Sequence, residues 1–273
     1  MIANQCDIFF STLQGRMAVT YRPGNPVFLF VHGLGGCRRH FEGAFSSLCG
    51  NDFGIISVDL LGFGDSEHFR VLPEKILPIQ IRALSELLSA YRVSEITLVL
   101  HSLSTALLPA IIKEKSWPKI KRIVFIEGDI LKCQLTWSKQ LVQMEDRKFI
   151  DYIKKFGLNA VQALRLQLRT FHDKKLIESW AACFTTLDIY ALKHMAKECF
   201  ELVDLGIVLD TVNRLDIPCE YLYGEGNHVA KSLPEAIHCS GFHLSPILSS
   251  GHYPMLDNPD ETYLLIFQNN NNG

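Results

Sequence analysis

The chain has 273 residues, 48% apolar and 21% charged, with 27 basic against 29 acidic side chains and a formal net charge of −2. That balance is a globular protein's, with material for a large core. It gives no footing to a nucleic-acid partner: Lys and Arg are scattered, and the densest run, 113–122, reads as a solvated helix end and loop.

No apolar run reaches the ~18 residues that would suggest a membrane span. The start lacks the basic and apolar regions of a secretory signal. Eight cysteines, at 6, 37, 49, 133, 183, 199, 219 and 239, stand singly without a C-x-x-C pair. They read as free or buried thiols in a reducing compartment, so a cytoplasmic setting is expected. The terminal 268–273 is low-complexity and expected to be disordered.

In chain order, Asp7 to Thr12 and Met17 to Tyr21 flank a turn at Gln14 and Gly15 and predict an antiparallel hairpin. Val27 to His32 is a continuous apolar run, the composition of a parallel strand covered on both faces. Gly54 to Leu60 is another. Pro73 to Tyr91 carries helical periodicity, with Ile76, Ile79, Ile81, Leu84, Leu87 and Leu88 on one broad face. Ile96 to Leu100 predicts a strand, Leu103 to Glu114 a helix directly after it, and Ile123 to Ile126 the next strand. Pro218 to Tyr223 and Phe242 to Leu248 complete the set. Short strands alternating with helices predict an α/β fold: a mostly parallel central sheet with helices on both faces.

About ninety residues separate the strand ending near Glu127 from the one starting at Pro218, far beyond the ~30 of a simple βαβ unit. Helical patterns fill them: Trp137 to Met144, Phe149 to Phe156, Ala160 to Leu168, Leu176 to Ala182 and Leu187 to Phe200. The expected organisation is a core of residues 1–130 and 207–273 with a helical lid, 131–206, whose underside is apolar.

The chemistry gathers at strand ends. At Leu100-His101-Ser102-Leu103-Ser104 a buried strand runs into a helix with a serine at the junction. Such a turn lifts the serine above the sheet and aims the helix's N–H groups at a bound carbonyl. Ser104 is the competing nucleophile, and a serine that only caps the helix is the bland alternative. His32-Gly33-Leu34-Gly35-Gly36 follows the first buried strand. Asp59-Leu60-Leu61-Gly62-Phe63-Gly64-Asp65-Ser66 follows the next. Ser250-Gly251-His252-Tyr253-Pro254 lies near the C-terminus.

These four blocks, in their order along the chain, resemble the α/β-hydrolase family. Its elbow is G-x-S-x-G; Leu100 departs from that pattern, while the His-Ser pair and Ser104 fit. The resemblance implies a nucleophile at Ser102, a general base at His252, and an oxyanion hole from the N–H groups of Leu34 and Leu103. The 59–66 turn is implied to be structural, and His101 to be packing.

The family usually places its acid in a G-E-x-D pattern after the next-to-last strand. Here the pattern ends in Asn227, which carries no charge. Glu127 falls instead where some haloalkane dehalogenases hold their acid, at the end of the strand after the nucleophile helix. Asp129 is the alternative acid, with Glu225 or none remaining open. Dehalogenation itself is not implied, because its nucleophile is an aspartate.

The expected function is therefore a serine esterase or thioesterase acting on a fairly hydrophobic small molecule. A carbon–carbon bond hydrolase and a non-catalytic binding protein on the same fold are the alternatives. No cofactor is expected, and no metal, because the His and Cys spacings match no H-E-x-x-H or paired C-x-x-C.

Overall fold

A computed structural model describes residues 5–268 except 72, 171 and 229. The tail after Gln268, expected to be disordered, lies outside the described residues, as do the first four residues of the start that carries no secretory signature. Eight strands among the described residues form one sheet in the order β1-β2-β4-β3-β5-β6-β7-β8. They are β1 (Cys6–Thr12), β2 (Gly15–Arg22), β3 (Val27–Val31), β4 (Gly54–Val58), β5 (Glu95–His101), β6 (Lys119–Ile126), β7 (Cys219–Gly224) and β8 (Phe242–Ile247).

β2 runs antiparallel to β1 and β4; every other neighbouring pair is parallel. β3 is buried along its whole length, as its continuous apolar run requires with helices on both faces. The α/β class and the mostly parallel sheet are thus as the sequence predicts.

The helices are α1 (Glu42–Ser46), α2 (Leu77–Ala90), α3 (Leu108–Lys113), α4 (Thr136–Gln143), α5 (Asp146–Leu158), α6 (Ala160–Gln167), α7 (Lys174–Ala181), α8 (Ile189–Asp204), α9 (Ile207–Asn213), α10 (Leu233–Ala236), α11 (Pro254–Asp257) and α12 (Pro259–Gln268). The helix expected from Leu103 opens as a 3-10 turn, Ser102–Leu107, before becoming α3. Pro109 explains the change: it has no N–H to give the Thr105 carbonyl, which accepts instead from Leu108, three residues on.

The insertion between β6 and β7 holds α4 to α9 and shares the core rather than sitting apart from it. Leu141, Phe149, Leu192 and Met195 join the apolar cluster of α2 and β5. Leu164, Trp180 and Phe184 join that of β3 and α12. α8 packs on the Ser102–Leu107 turn.

Arg122 is no solvated loop residue: it is buried in β6, donates to the carbonyls of Ile266 (2.7 Å) and Leu265 (3.2 Å), and pairs with Glu220 at 3.6 Å. A guanidinium can be buried when its N–H groups are satisfied this way. Nor are all the cysteines free, for Cys37 and Cys183 form a disulfide joining the segment after β3 to the insertion. Among the described residues no helix is long and apolar enough to cross a membrane.

Candidate active site

β5 lies between β3 and β6, and its end is where the backbone is forced. Ser102 has φ of +53° and Glu127, at the end of β6, has φ of +47°. Left-handed backbone at a side chain without special tolerance costs on the order of 1–3 kcal/mol and gathers at working sites. Gly33 makes room for the turn: a Cβ there would lie 2.9 Å from the Ser102 Cβ and 3.0 Å from the His101 carbonyl oxygen. Ser104 is buried, and its hydroxyl lies 2.8 Å from the His101 carbonyl and 3.1 Å from that of Val31. It is therefore engaged in the turn and is not presented as a nucleophile.

A cavity of about 390 Å³ opens above these strand ends, within the size range of small-molecule sites. Leu34, Ser102, Leu103, Asp129 and His252 all line it. Glu127 is buried behind His252, its Oε2 3.7 Å from the imidazole Nδ1. That is an ion-pair separation, longer than a hydrogen bond, and contacts of this kind often tighten only when substrate binds.

Burial works against a charged ring at His252, yet the carboxylates of Glu127 and then Asp129 lift its pKa above the usual histidine value. His101 packs against the His252 loop, its Nε2 donating to the His252 carbonyl at 3.0 Å, and it also lines the cavity rather than facing wholly away from it. Burial keeps it neutral, holding its pKa well below the ordinary value.

Asn227 does more than leave the usual acid position empty. Its Nδ2 donates to Glu127 Oε2 at 2.6 Å, while Gly224 N donates to Oε1 at 2.5 Å. The β7 loop thus clamps a carboxylate supplied by β6. Nothing in the G-E-G-N spacing announced this role; the donor chemistry of an amide facing an acid was the only signal. Glu225 is exposed and accepts from Ser249 N at 3.2 Å, so it plays no part behind His252. Asp129 faces the cavity, and burial, reinforced by Glu127 but opposed by His252, pushes its pKa up to about 7.

The 59–66 turn is structural. Asp59 accepts from Arg38 N at 2.5 Å and Asp65 N at 2.8 Å and pairs with the Arg38 guanidinium. His32 donates from Nδ1 to Gly33 O at 2.8 Å and accepts from Leu60 N at 3.0 Å, fastening the glycine loop to this turn.

The alpha/beta hydrolase family model matches residues 28–263. The chain belongs to that family. Among solved structures, an esterase from Exiguobacterium antarcticum superposes with TM-score 0.75 at 13% identity, over 97% of this chain and 99% of its own. The haloalkane dehalogenase DatA from Agrobacterium tumefaciens C58 gives 0.75 at 14%, over 97% and 95%. A thermophilic esterase from Thermogutta terrifontis gives 0.68 at 18%, over 97% of each chain. At such identities these likenesses carry the fold alone. No curated protein sequence matches the chain.

In this alpha/beta hydrolase the insertion's face toward the cavity is not simply apolar, as expected, but mixed. Trp137, Tyr152, Phe156 and Phe184 alternate with Gln134, Thr136, Ser138 and Gln167. The insertion is tied to the histidine loop through Asp257. That buried carboxylate accepts from Arg169 N, Thr170 N, Thr170 Oγ1 and Gly251 N, at 2.9, 3.0, 2.9 and 2.9 Å. A further group came together that sequence reasoning missed: Cys37, His40 and Cys183, all buried. The C-x-x-H spacing of Cys37 and His40 was its only signal.

Proposed function

We propose that the protein is a serine hydrolase that cleaves an ester or thioester of a small molecule through an acyl-enzyme on Ser102. One observation carries this reading: Ser102, held in left-handed backbone at the end of β5, shares its cavity with His252, behind which lies the clamped carboxylate of Glu127. His252 takes the Ser102 proton as the hydroxyl attacks and returns it to the leaving group. Water then attacks the acyl-enzyme by the same proton path. Glu127 holds the ring and stabilises its charged form.

The N–H groups of Leu34 and Leu103 receive the developing oxyanion, a contribution of roughly 3–4 kcal/mol per donor in comparable sites. The glycine loop's tight approach to Ser102 supports that pairing. Residues 131–206 act as the cap. Its four aromatic rings suit a hydrophobic acyl or alcohol group, and its four polar side chains suit a substrate that also carries hydrogen-bonding groups. With Glu127 clamped as it is, Asn227 no longer argues for a non-catalytic protein.

The test is covalent labelling by a fluorophosphonate, alongside turnover of esters, thioesters and a diketone. Labelling and turnover that disappear in Ser102→Ala are the expected result. Labelling that persists in that variant, or an unlabelled and inactive wild-type chain, would overturn the reading. Preference for the diketone would move the substrate class to carbon–carbon bonds while keeping the nucleophile.

A further inference from the structure

Cys37 follows the glycine loop directly, His40 lies three residues on, and Cys183 comes from the 3-10 turn Ala182–Thr185 of the insertion. One donor atom from each lies within 4.8 Å of the other two. All three side chains are buried: His40 0%, Cys37 2% and Cys183 4% exposed. Nε2 of His40 lies 3.3 Å from the carbonyl oxygen of Trp180, whose ring stacks on the imidazole at 4.6 Å. A carbonyl can only accept, so the ring's proton sits on Nε2. Nδ1 is left with a lone pair and no partner, although it is buried. Other buried polar atoms, His101 Nδ1 among them, also lack a partner, but this lone pair belongs to a residue grouped with two cysteine sulfurs and is free to ligate.

We propose that, when the Cys37–Cys183 bond is reduced, these three side chains form a binding site for a soft divalent cation of the zinc type. Two thiolates and one neutral imidazole are a recognised zinc donor set, completed by one bound water in the fourth position. Their charge also suits the place: two thiolates and a divalent ion sum to zero, which a buried site tolerates far better than lone charges. The Trp180 carbonyl supplies the outer contact that metal-binding histidines use to fix tautomer and orientation.

Tetrahedral coordination with bonds of ~2.3 Å puts the two sulfurs ~3.8 Å apart. The Cα atoms are 5.8 Å apart, so rotation about the Cα–Cβ bonds can open the sulfurs to that spacing. Disulfide and metal site exclude one another, and both tie the insertion to the glycine loop.

The chemistry balances with a phosphine as reductant. The S–S bond breaks, each sulfur gains a hydrogen, and the phosphine takes oxygen from water to become its oxide. Binding the cation then releases two thiol protons to solvent.

The experiment titrates Co²⁺ into the full chain under a phosphine reductant, following the thiolate-to-cobalt charge-transfer band and the protons released. The expected result is one cobalt and two protons per chain, displaced by Zn²⁺. The band is lost in Cys37→Ser and in Cys183→Ser. In His40→Phe, which keeps a ring against Trp180, affinity falls at least ~10-fold. A chain with the exposed Cys6, Cys49 and Cys133 changed to Ser retains the band.

A reduced wild-type chain that gives no band overturns the proposal without reference to any variant's folding. So does a band that survives in Cys37→Ser or Cys183→Ser. A pair that stays oxidised in the folded protein under the phosphine overturns it as well. No readout depends on catalysis, so failure here is distinct from failure of the hydrolase reading.

Discussion

Replacing Glu127 by Gln preserves the side chain's shape and removes its charge. At 3.7 Å from His252, a unit charge pair in an effective dielectric of about 20 interacts by about 4.5 kcal/mol. At 1.36 kcal/mol per decade, that is a rate factor of roughly 10³. The amide adds a second fault. Gly224 N and Asn227 Nδ2 each donate to one carboxylate oxygen, so either orientation of the introduced amide sets an NH₂ against a donor. An acid-to-amide change in the serine-protease triad lowers kcat about 10⁴-fold, and the expected loss in kcat/KM here is therefore about 10³ to 10⁴.

The assay is hydrolysis of a chromogenic ester across pH, with Asn227→Ala and Asp129→Asn beside it. His252 must be neutral to act, and its pKa is raised by Glu127. Activity is thus present above that pKa and lost as pH falls through it. Without the charge, the acid limb of the profile moves to lower pH. Asn227→Ala removes one charge-assisted hydrogen bond and should cost about tenfold. If Glu127→Gln keeps its activity and its acid limb while Asp129→Asn loses both, the acid has been assigned to the wrong carboxyl.

Two other outcomes follow from the same surroundings. Asp129 titrates near 7 folded, against an ordinary 3.8, so the folded chain holds a proton that the unfolded chain releases. Stability therefore falls as pH rises from about 4 to about 7. Asp129→Asn should then raise stability at pH 8 by at most about 4 kcal/mol, less for cavity water, with no gain near pH 4. Thermal melts at both pH values check it, and an equal gain at both would refute the account. Asp257→Ala strands the backbone N–H groups of Arg169, Thr170 and Gly251, while Thr170 Oγ1 keeps the carbonyl of residue 257; a loss of roughly 3 kcal/mol by urea denaturation is expected, and a change under about 1 kcal/mol would mean the tie is idle.

Much of the architecture was legible because burial on two faces leaves a composition that nothing else does. Val27 to Val31 and Ile96 to Leu100 carry the composition of interior strands, and a serine between such a strand and a helix stands at the strand's C-terminal end. The ends of the chain were less plain. Asn258, Pro259, Asp260 and Glu261 form a helix start by composition, with Glu261 N donating to Asn258 Oδ1 at 3.4 Å, yet α12 is not among the predicted elements. What stayed hidden depends on partners distant in sequence. Cys37 and Cys183 are 146 residues apart, Arg122 finds its carbonyls on α12, and Asn227 faces Glu127 only because β6 and β7 are neighbours. The insertion's polar lining was masked because its helices bury aromatic rings on the same side.

With Glu127 as the proposed acid, its placement at the end of β6 also closes a route back. Putting the common family residue in place with Asn227→Asp would not rebuild the usual triad. It would set two carboxyl oxygens at the 2.6 Å spacing now held by the Asn227 amide's hydrogen bond, and like charges that close share one proton rather than both ionising. The chain would trade a donor for a rival, leaving the imidazole beside a half-neutralised pair. On the proposed assignment, returning the acid to the β7 loop takes two coordinated substitutions, and either one alone is expected to give a weaker enzyme.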